Sequence, residues 1–353
     1  MKKNILLLLC FLPLFSKAQW KIDSSLTVGA YAEIYYSYNL ANPANHENPN
    51  FIYNHKRHNE FNLNLALLRA NYEQHRIRAN AGFMVGNYAQ YNLSTEPNWA
   101  QFINEASLGI QVSAQHQLWL DAGIMPSHIG FEGNIGADCW TTTRSMLAEN
   151  SPYYETGIRL SYNDKQQKLL TSFSILNGWQ QIEKKAGQQI PSVGLQLNYK
   201  ATEAVTLNYS NFIGSVKTVS LKAFRTYHNL YAILEPKSPL SLILGFDIGS
   251  DKRKTGNKGV WMSPVFIVRY KINPNIKLAL RGEYYHDADE IMISTGTMNG
   301  FQTLGGSFNV DYQIHPYVTW RLEGKIYASK DKIFNGIHHH NQLITSALTF
   351  KRL

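Results

Sequence analysis

Val318-Thr319-Trp320-Arg321-Leu322-Glu323-Gly324-Lys325-Ile326-Tyr327-Ala328 alternates between two kinds of position without a break. Val318, Trp320, Leu322, Gly324, Ile326 and Ala328 fall on one face of an extended chain, and Thr319, Arg321, Glu323, Lys325 and Tyr327 on the other. Successive side chains of a strand point to opposite faces, whereas a helix would scatter these charges around its whole circumference. The same period of two recurs at 28–36, 77–85, 108–114, 193–199, 242–248 and 276–285. Helical periodicity is scarce. The pattern predicts an all-β chain whose strands each carry one apolar and one polar face.

A soluble sandwich buries its apolar faces against a second sheet, and a membrane barrel turns them to lipid. The segments run about 10 to 13 residues, the length of a tilted membrane-crossing strand rather than of the usual globular one. Their polar faces carry Arg, Glu and Asn in mid-strand, as a water-filled interior allows. Tyr and Phe crowd the strand ends at Tyr35-Tyr36, Tyr153-Tyr154, Tyr199, Tyr270, Tyr284-Tyr285 and Phe350, which reads as two aromatic girdles. Connections alternate as well. The segments 39–57, 87–101, 126–152, 177–190, 287–299 and 329–340 are long, while 73–75, 115–117, 163–167, 200–203, 271–274 and 313–316 are short and rich in turn residues such as Asn163-Asp164, Asn273-Pro274 and His315-Pro316. The expected fold is a transmembrane antiparallel up-and-down β-barrel of about 16 strands, with short periplasmic turns and long extracellular loops. Closure satisfies every backbone group and leaves no sheet edge in lipid. A change of alternation phase within Phe61–Tyr72, near Leu67-Leu68, predicts a β-bulge.

The 353 residues are 44% hydrophobic, 12% aromatic and only 17% charged, which excludes a disordered chain. The one continuous apolar run, Ile5 to Phe15, follows Lys2-Lys3 and precedes Ser16-Lys17-Ala18. That is the layout of a secretory signal peptide over 1–18, to be cleaved, with a single barrel domain over 19–353. Cleavage removes Lys2, Lys3 and Lys17, taking the formal charge from +9 to +6, and removes Cys10. Cys139 then has no intramolecular disulfide partner.

Leu120-Asp121-Ala122-Gly123-Ile124-Met125-Pro126-Ser127-His128-Ile129-Gly130-Phe131-Glu132, followed by Trp140-Thr141 and by Ala148-Glu149-Asn150-Ser151-Pro152-Tyr153-Tyr154-Glu155-Thr156-Gly157, resembles the signature of the outer-membrane β-barrel porin family called OmpL-like. His58-Asn59-Glu60-Phe61-Asn62-Leu63-Asn64 and Gly245-Phe246-Asp247-Ile248-Gly249 are similar to other parts of that family. The resemblance extends over most of the chain after residue 18. It implies a pore in the outer membrane of a Gram-negative bacterium and brings no catalytic residues. The sequence departs from many outer-membrane barrels in following Phe350 with Lys351-Arg352-Leu353.

The residues themselves argue against catalysis. His286-Asp287-Ala288-Asp289-Glu290 lacks the second cluster that an acid–base site needs, and His338-His339-His340 lacks metal-ligand spacing. No nucleophilic triad or phosphate-binding glycine motif occurs, so no cofactor is expected. The excess positive charge is modest and spread out, which excludes nucleic acid as a partner. Lys184-Lys185 and Lys252-Arg253-Lys254 are either solvated loop or contacts to anionic lipopolysaccharide. The expected partners are outer-membrane lipids, lipopolysaccharide and the barrel-insertion machinery.

The expected function is passive diffusion of small hydrophilic solutes or ions; the alternative is a structural or adhesive barrel plugged by its loops. Alternation places Arg78, Arg159, Arg225, Arg269, Arg281, Glu283, Arg321 and Glu323 on the lumen wall, with Arg281–Glu283 and Arg321–Glu323 paired within it. The inward set also takes in Arg76, and its basic groups outnumber the acidic ones by two, a weak bias towards anions. The 27-residue connection 126–152 carries Ile129, Phe131, Ile135, Trp140, Met146 and Leu147, which need burial. It is expected to fold inward, eased by Gly130, Gly133 and Gly136; the alternative is an external cap packed on neighbouring loops. Glu132, Asp138, Arg144 and Glu149 would then line a constriction with Arg144 facing the carboxylates.

Overall fold

The computed structural model describes residues 20–21, 25–113, 115–216, 223–252 and 256–353, so the expected leader over 1–18 lies outside the described residues, as do Arg253 and Lys254. Sixteen long strands follow one another: Leu26–Asn39 (β1), Phe61–Gln74 (β2), Ile77–Val85 (β3), Ile103–Ser113 (β4), Leu118–Pro126 (β5), Tyr154–Asn163 (β6), Leu169–Leu176 (β7) and Ser192–Thr202 (β8). The second half consists of Val205–Ser215 (β9), Phe224–Leu234 (β10), Leu240–Lys252 (β11), Lys258–Lys271 (β12), Ile276–Asp287 (β13), Phe301–His315 (β14), Val318–Ser329 (β15) and His340–Arg352 (β16). Each is antiparallel to its sequence neighbours, and β16 returns to pair with β1 from Leu343↔Asn39 to Arg352↔Ala30. The sheet is therefore a closed sixteen-strand barrel. A two-residue strand, Trp20–Lys21, pairs beside Val28 and Thr27.

The alternation read from sequence maps directly onto the wall. Leu68, Phe83, Leu108, Leu280, Leu304 and Ile326 stand exposed on the outside, while Glu33, Arg281, Asn309, Arg321 and Glu323 are buried on the inside. The bulge in β2 is real but lies three residues before the expected place. Glu33 pairs with Leu65 and Ile34 with Leu63, leaving Asn64 as the extra residue. Asn64 turns inward and donates to Glu33 Oε2 at 2.7 Å, so a buried hydrogen bond fixes the site of the bulge.

Short turns such as 203–204 and 316–317 close one end; four long loops at the other end matter most, L1 (40–60), L2 (86–102), L3 (127–153) and L4 (177–191). L2 opens with helix α1, Asn87–Asn92. L3 contains a 3-10 turn, Gly136–Asp138, and a short helix α2, Met146–Glu149, capped by Ser145 Oγ accepting from Ala148 N–H at 3.2 Å.

The inside of the long-loop end is apolar. Leu176, Phe212, Tyr227, Trp261, Tyr285, Phe301, Tyr327 and Leu343 each come from the loop-side end of a different strand and point inward. They pack around Phe51 and Ile52 of L1, Ile129 and Met146 of L3, and Trp179 of L4. Across the barrel, Tyr31, Leu65, Leu67, Met84 and Ile124 pack on Tyr88, Leu93, Tyr153 and Ile182. Four expected girdle residues, Tyr35, Tyr153, Tyr154 and Tyr285, are thus buried by protein, while Tyr36 and Tyr284 keep the outward face.

Candidate pore constriction

L3 leaves β5 at Pro126, crosses the lumen and grips the far wall. His128 places Nδ1 2.8 Å from Glu155 of β6 and Nε2 2.8 Å from the Asn211 carbonyl of β9. Gly130 N–H donates to Asn229 of β10, Thr142 N–H to Asn309 of β14, Thr143 N–H to Glu323 of β15 and Met146 N–H to Glu283 of β13. The wall answers with its own donors. Arg281 reaches Thr141 Oγ1 and the Thr143 carbonyl, both at 2.8 Å; Arg321 reaches the carbonyls of Gly136 and Cys139; Lys325 Nζ reaches the Arg144 carbonyl at 2.9 Å. Inward-facing charges of β13 and β15, with Asn309 of β14 between them, thus meet loop backbone, whose polar groups require partners once water is excluded.

Two of the three glycines are required by this path. Gly130 sits at φ +89, and a Cβ on Gly136 would lie 2.5 Å from the Glu33 carboxylate; Gly133 has open space around it.

The four constriction candidates do not gather around one opening. Arg144 is 0% exposed, and its guanidinium donates to the carbonyls of Gly133 (2.7 Å), Thr142 (2.9 Å) and Asn134 (3.1 Å). It faces carbonyls of its own loop rather than carboxylates across water. Glu132 accepts from Ser145 N–H and Oγ. Glu149 accepts from Tyr53 N–H (2.9 Å) and Asn54 N–H of L1, and burial pushes its carboxyl above the usual range. Asp138, 53% exposed, pairs with Lys351 of β16, so the loop descends towards the short-turn end.

The wall candidates all face inward. Arg78 pairs with Asp121 and lies over Trp119 at 4.3 Å; Arg159 pairs with Glu155 at 3.1 Å; Arg225 pairs with Asp251 between Trp179 and Trp261; Arg269 pairs with Glu235 and lies over Trp140. Arg281 lies 3.6 Å from Glu283 but makes its shorter pair, 2.7 Å, with Glu323. The expected Arg321–Glu323 pair is absent, because Asp311 stands directly opposite Arg321 in β14 and accepts at 2.7 Å. Arg76 lies in a turn, bonded to the carbonyls of Gln111 and Val112, and Arg69 takes its place on the wall, paired with Glu105. Glu155, Asp251 and Asp287 are also inward, which cancels the expected excess of wall cations. Between these pairs lies a lumen cavity of about 310 Å³ bordered by Arg78, Glu105, Asp121, Arg159, Ser172 and Gln196.

The acidic side chains of Asp287 and Glu290 in the 287–290 cluster are tied to their own loop. Asp287 accepts from the N–H groups of Ile291, Met292 and Ile293, and Glu290 from those of Thr295 and Gly296. Among the described residues no three metal-binding side chains converge. The participation of L1 was not anticipated. Its sequence signal is Phe51-Ile52, an apolar pair inside a polar loop.

A closed barrel crossed by an inward-folded loop agrees with the family whose sequence model, described as Putative beta-barrel porin-2, OmpL-like, matches residues 25–351. The chain belongs to this family. No curated protein matches the OmpL-like chain. Solved porin structures share its fold at low identity. The anion-selective porin from Comamonas acidovorans superposes with a TM-score of 0.63 at 9% identity, over 93% of this chain and 99% of that one. The outer membrane channel DcaP of Acinetobacter baumannii gives 0.64 at 10%, over 95% and 100%. Pseudomonas putida OprB gives 0.63 at 8%, over 94% and 95%. Family and fold make this OmpL-like chain a porin, a channel rather than an enzyme, with its apolar outer surface against membrane lipid.

Proposed function

We propose that this porin is a passive diffusion channel for small hydrophilic solutes or ions in the outer membrane of a Gram-negative bacterium. In this reading residues 1–18 are a cleaved leader, 19–353 form one barrel, the long loops are extracellular and L3 sets the constriction. The observation that carries the reading is L3 itself, which spans from Glu155 on β6 to Glu323 on β15. Glu132, Arg144 and Glu149 form the scaffold that holds the loop, and Asp138 is the member that presents charge to lumen water. Paired wall charges such as Arg78–Asp121 and Arg69–Glu105 leave little bias between anions and cations. Lipopolysaccharide at Lys184-Lys185 and the barrel-insertion machinery are the further partners this reading implies.

One observation favours the second reading, a structural barrel plugged by its loops: the apolar cluster around Phe51 fills the loop-side end of the lumen. Reconstitution in a planar bilayer distinguishes the two. A porin conducts in discrete steps with a reversal potential near zero in a salt gradient; a plug conducts nothing until the loop is cut away.

A further inference from the structure

Beside the plug, at the long-loop end, lies a second cavity of about 280 Å³, near the lower limit of the roughly 300–1,000 Å³ usual for small-molecule sites. It is bounded by L1, by the loops 288–300 and 330–339 and by the first residues of β16. Its floor is Phe51, Phe334 and Ile293, so it ends blindly on the apolar cluster and is not the mouth of the solute path.

The walls are rich in carboxamides, with six asparagines at positions 39, 45, 48, 50, 335 and 341. Several are tied at one end only. Asn45 uses Oδ1 to accept from Glu47 N–H, Asn335 uses Nδ2 to donate to the Ala41 carbonyl, and Asn341 uses Oδ1 to accept from Gln342 N–H. Asn50 lines the cavity with an exposed side chain. The other ends therefore offer donors and acceptors side by side. The one ionisable lining residue, Glu47, is occupied by Arg57 at 3.4 Å and by the Tyr91 hydroxyl at 2.9 Å. The L1 wall is also rigid, since Lys56 Nζ clasps the carbonyls of Asn48 (2.8 Å) and Pro49 (3.0 Å), and Phe51 packs edge-on against Phe301 and Tyr327.

We propose that this basin binds a neutral polyhydroxylated ligand, a mono- or disaccharide, at the loop-side mouth of the barrel. A hydroxyl both donates and accepts, which is what a free carboxamide can answer in either orientation. Recognition rests on the carboxamides, because Phe51 and Phe334 are themselves covered, and a pocket without an unpaired charge gives an anion or cation no advantage. A pre-formed wall reduces the ordering cost of binding.

The test is titration of the full chain, folded in detergent micelles, with maltose, read by calorimetry and by saturation-transfer NMR, with citrate as the charged control. Because binding is read without conduction, its outcome is independent of whether the barrel is an open channel. The proposal expects saturable maltose binding, weakened at least about tenfold by Asn50→Ala combined with Asn335→Gly, two lost hydrogen bonds of roughly 1 kcal/mol each. Both positions are exposed, and glycine suits the φ of +51 at Asn335, so the variant keeps the fold; the heat-modifiable gel shift of the barrel verifies this. No saturation up to about 100 mM maltose, equal binding by the double variant, or equal binding of citrate would each overturn it.

Discussion

Replacing Arg144 by Met removes the centre of L3 while leaving every wall strand intact. The guanidinium donates to three loop carbonyls, at Gly133, Asn134 and Thr142, of which that of Thr142 is buried. A hydrogen bond to a charged donor is worth about 1.5–3 kcal/mol, less where water reaches it as at Gly133 and Asn134, so losing all three costs about 3 kcal/mol in the docked loop. Undocking relieves that cost, because water then reaches the carbonyls. A shift of about 3 kcal/mol multiplies the undocked-to-docked ratio by more than about 100, so a loop undocked 1% of the time becomes undocked about half the time. The barrel has no such dependence, since its closure rests on β1–β16 pairing and not on L3. Arg144→Met should therefore insert normally, conduct in larger or longer steps and become sensitive to proteinase K within 132–147. A variant that inserts, conducts and resists protease like the wild type would refute the assignment of Arg144 as the hub of the loop.

Three other expectations follow from the same geometry. Leu322 and Thr319 lie on opposite faces of β15, so Leu322→Arg should cost about 2–4 kcal/mol of folding stability in lipid vesicles and Thr319→Arg much less; equal losses would reverse the assigned orientation. Cys139 is buried and its thiol is pushed up to about 11 by burial, so maleimide should label it slowly in the wild type and quickly in Arg144→Met; fast labelling of the wild type would mean that L3 is not docked. The raised carboxyl of Glu149 binds its proton more tightly in the docked loop, so docking should strengthen as pH falls from that raised value towards the ordinary 4.5. His58, lowered by burial, acts in the opposite sense below its ordinary 6.5. The readout is therefore the difference in closed-state dwell between wild type and Glu149→Gln on acidification, and parallel profiles would contradict it.

Strand existence and facing were legible because the period of two is enforced by lipid outside and polar groups inside, residue by residue, as in 318–328. What the inward face meets was not legible from alternation. Tyr285 and Tyr153 read as girdle by position near a strand end, yet they point into a lumen that the loops fill. Pairing failed for a related reason. Arg321 and Glu323 share a face two residues apart, but Asp311 lies directly across from Arg321, and cross-strand neighbours are closer than i, i+2 ones. Apolar residues at Leu67-Leu68 mask the phase of alternation; the inserted residue, Asn64, is identified by the register, in which Glu33 pairs with Leu65 and Ile34 with Leu63. That L3 needed burial was readable from its apolar residues. That Arg144 would satisfy its own loop's carbonyls was not, because backbone direction leaves no trace in side-chain pattern.

The central claim is that L3 governs passage through the barrel, and deletion of residues 132–147 tests it most directly. Single-channel recording of the wild type and the deletion, each reconstituted after the gel shift shows a folded barrel, should give a clearly larger unitary conductance for the deletion. Equal unitary conductance in two folded, inserted proteins would contradict the claim and place the constriction elsewhere in the lumen.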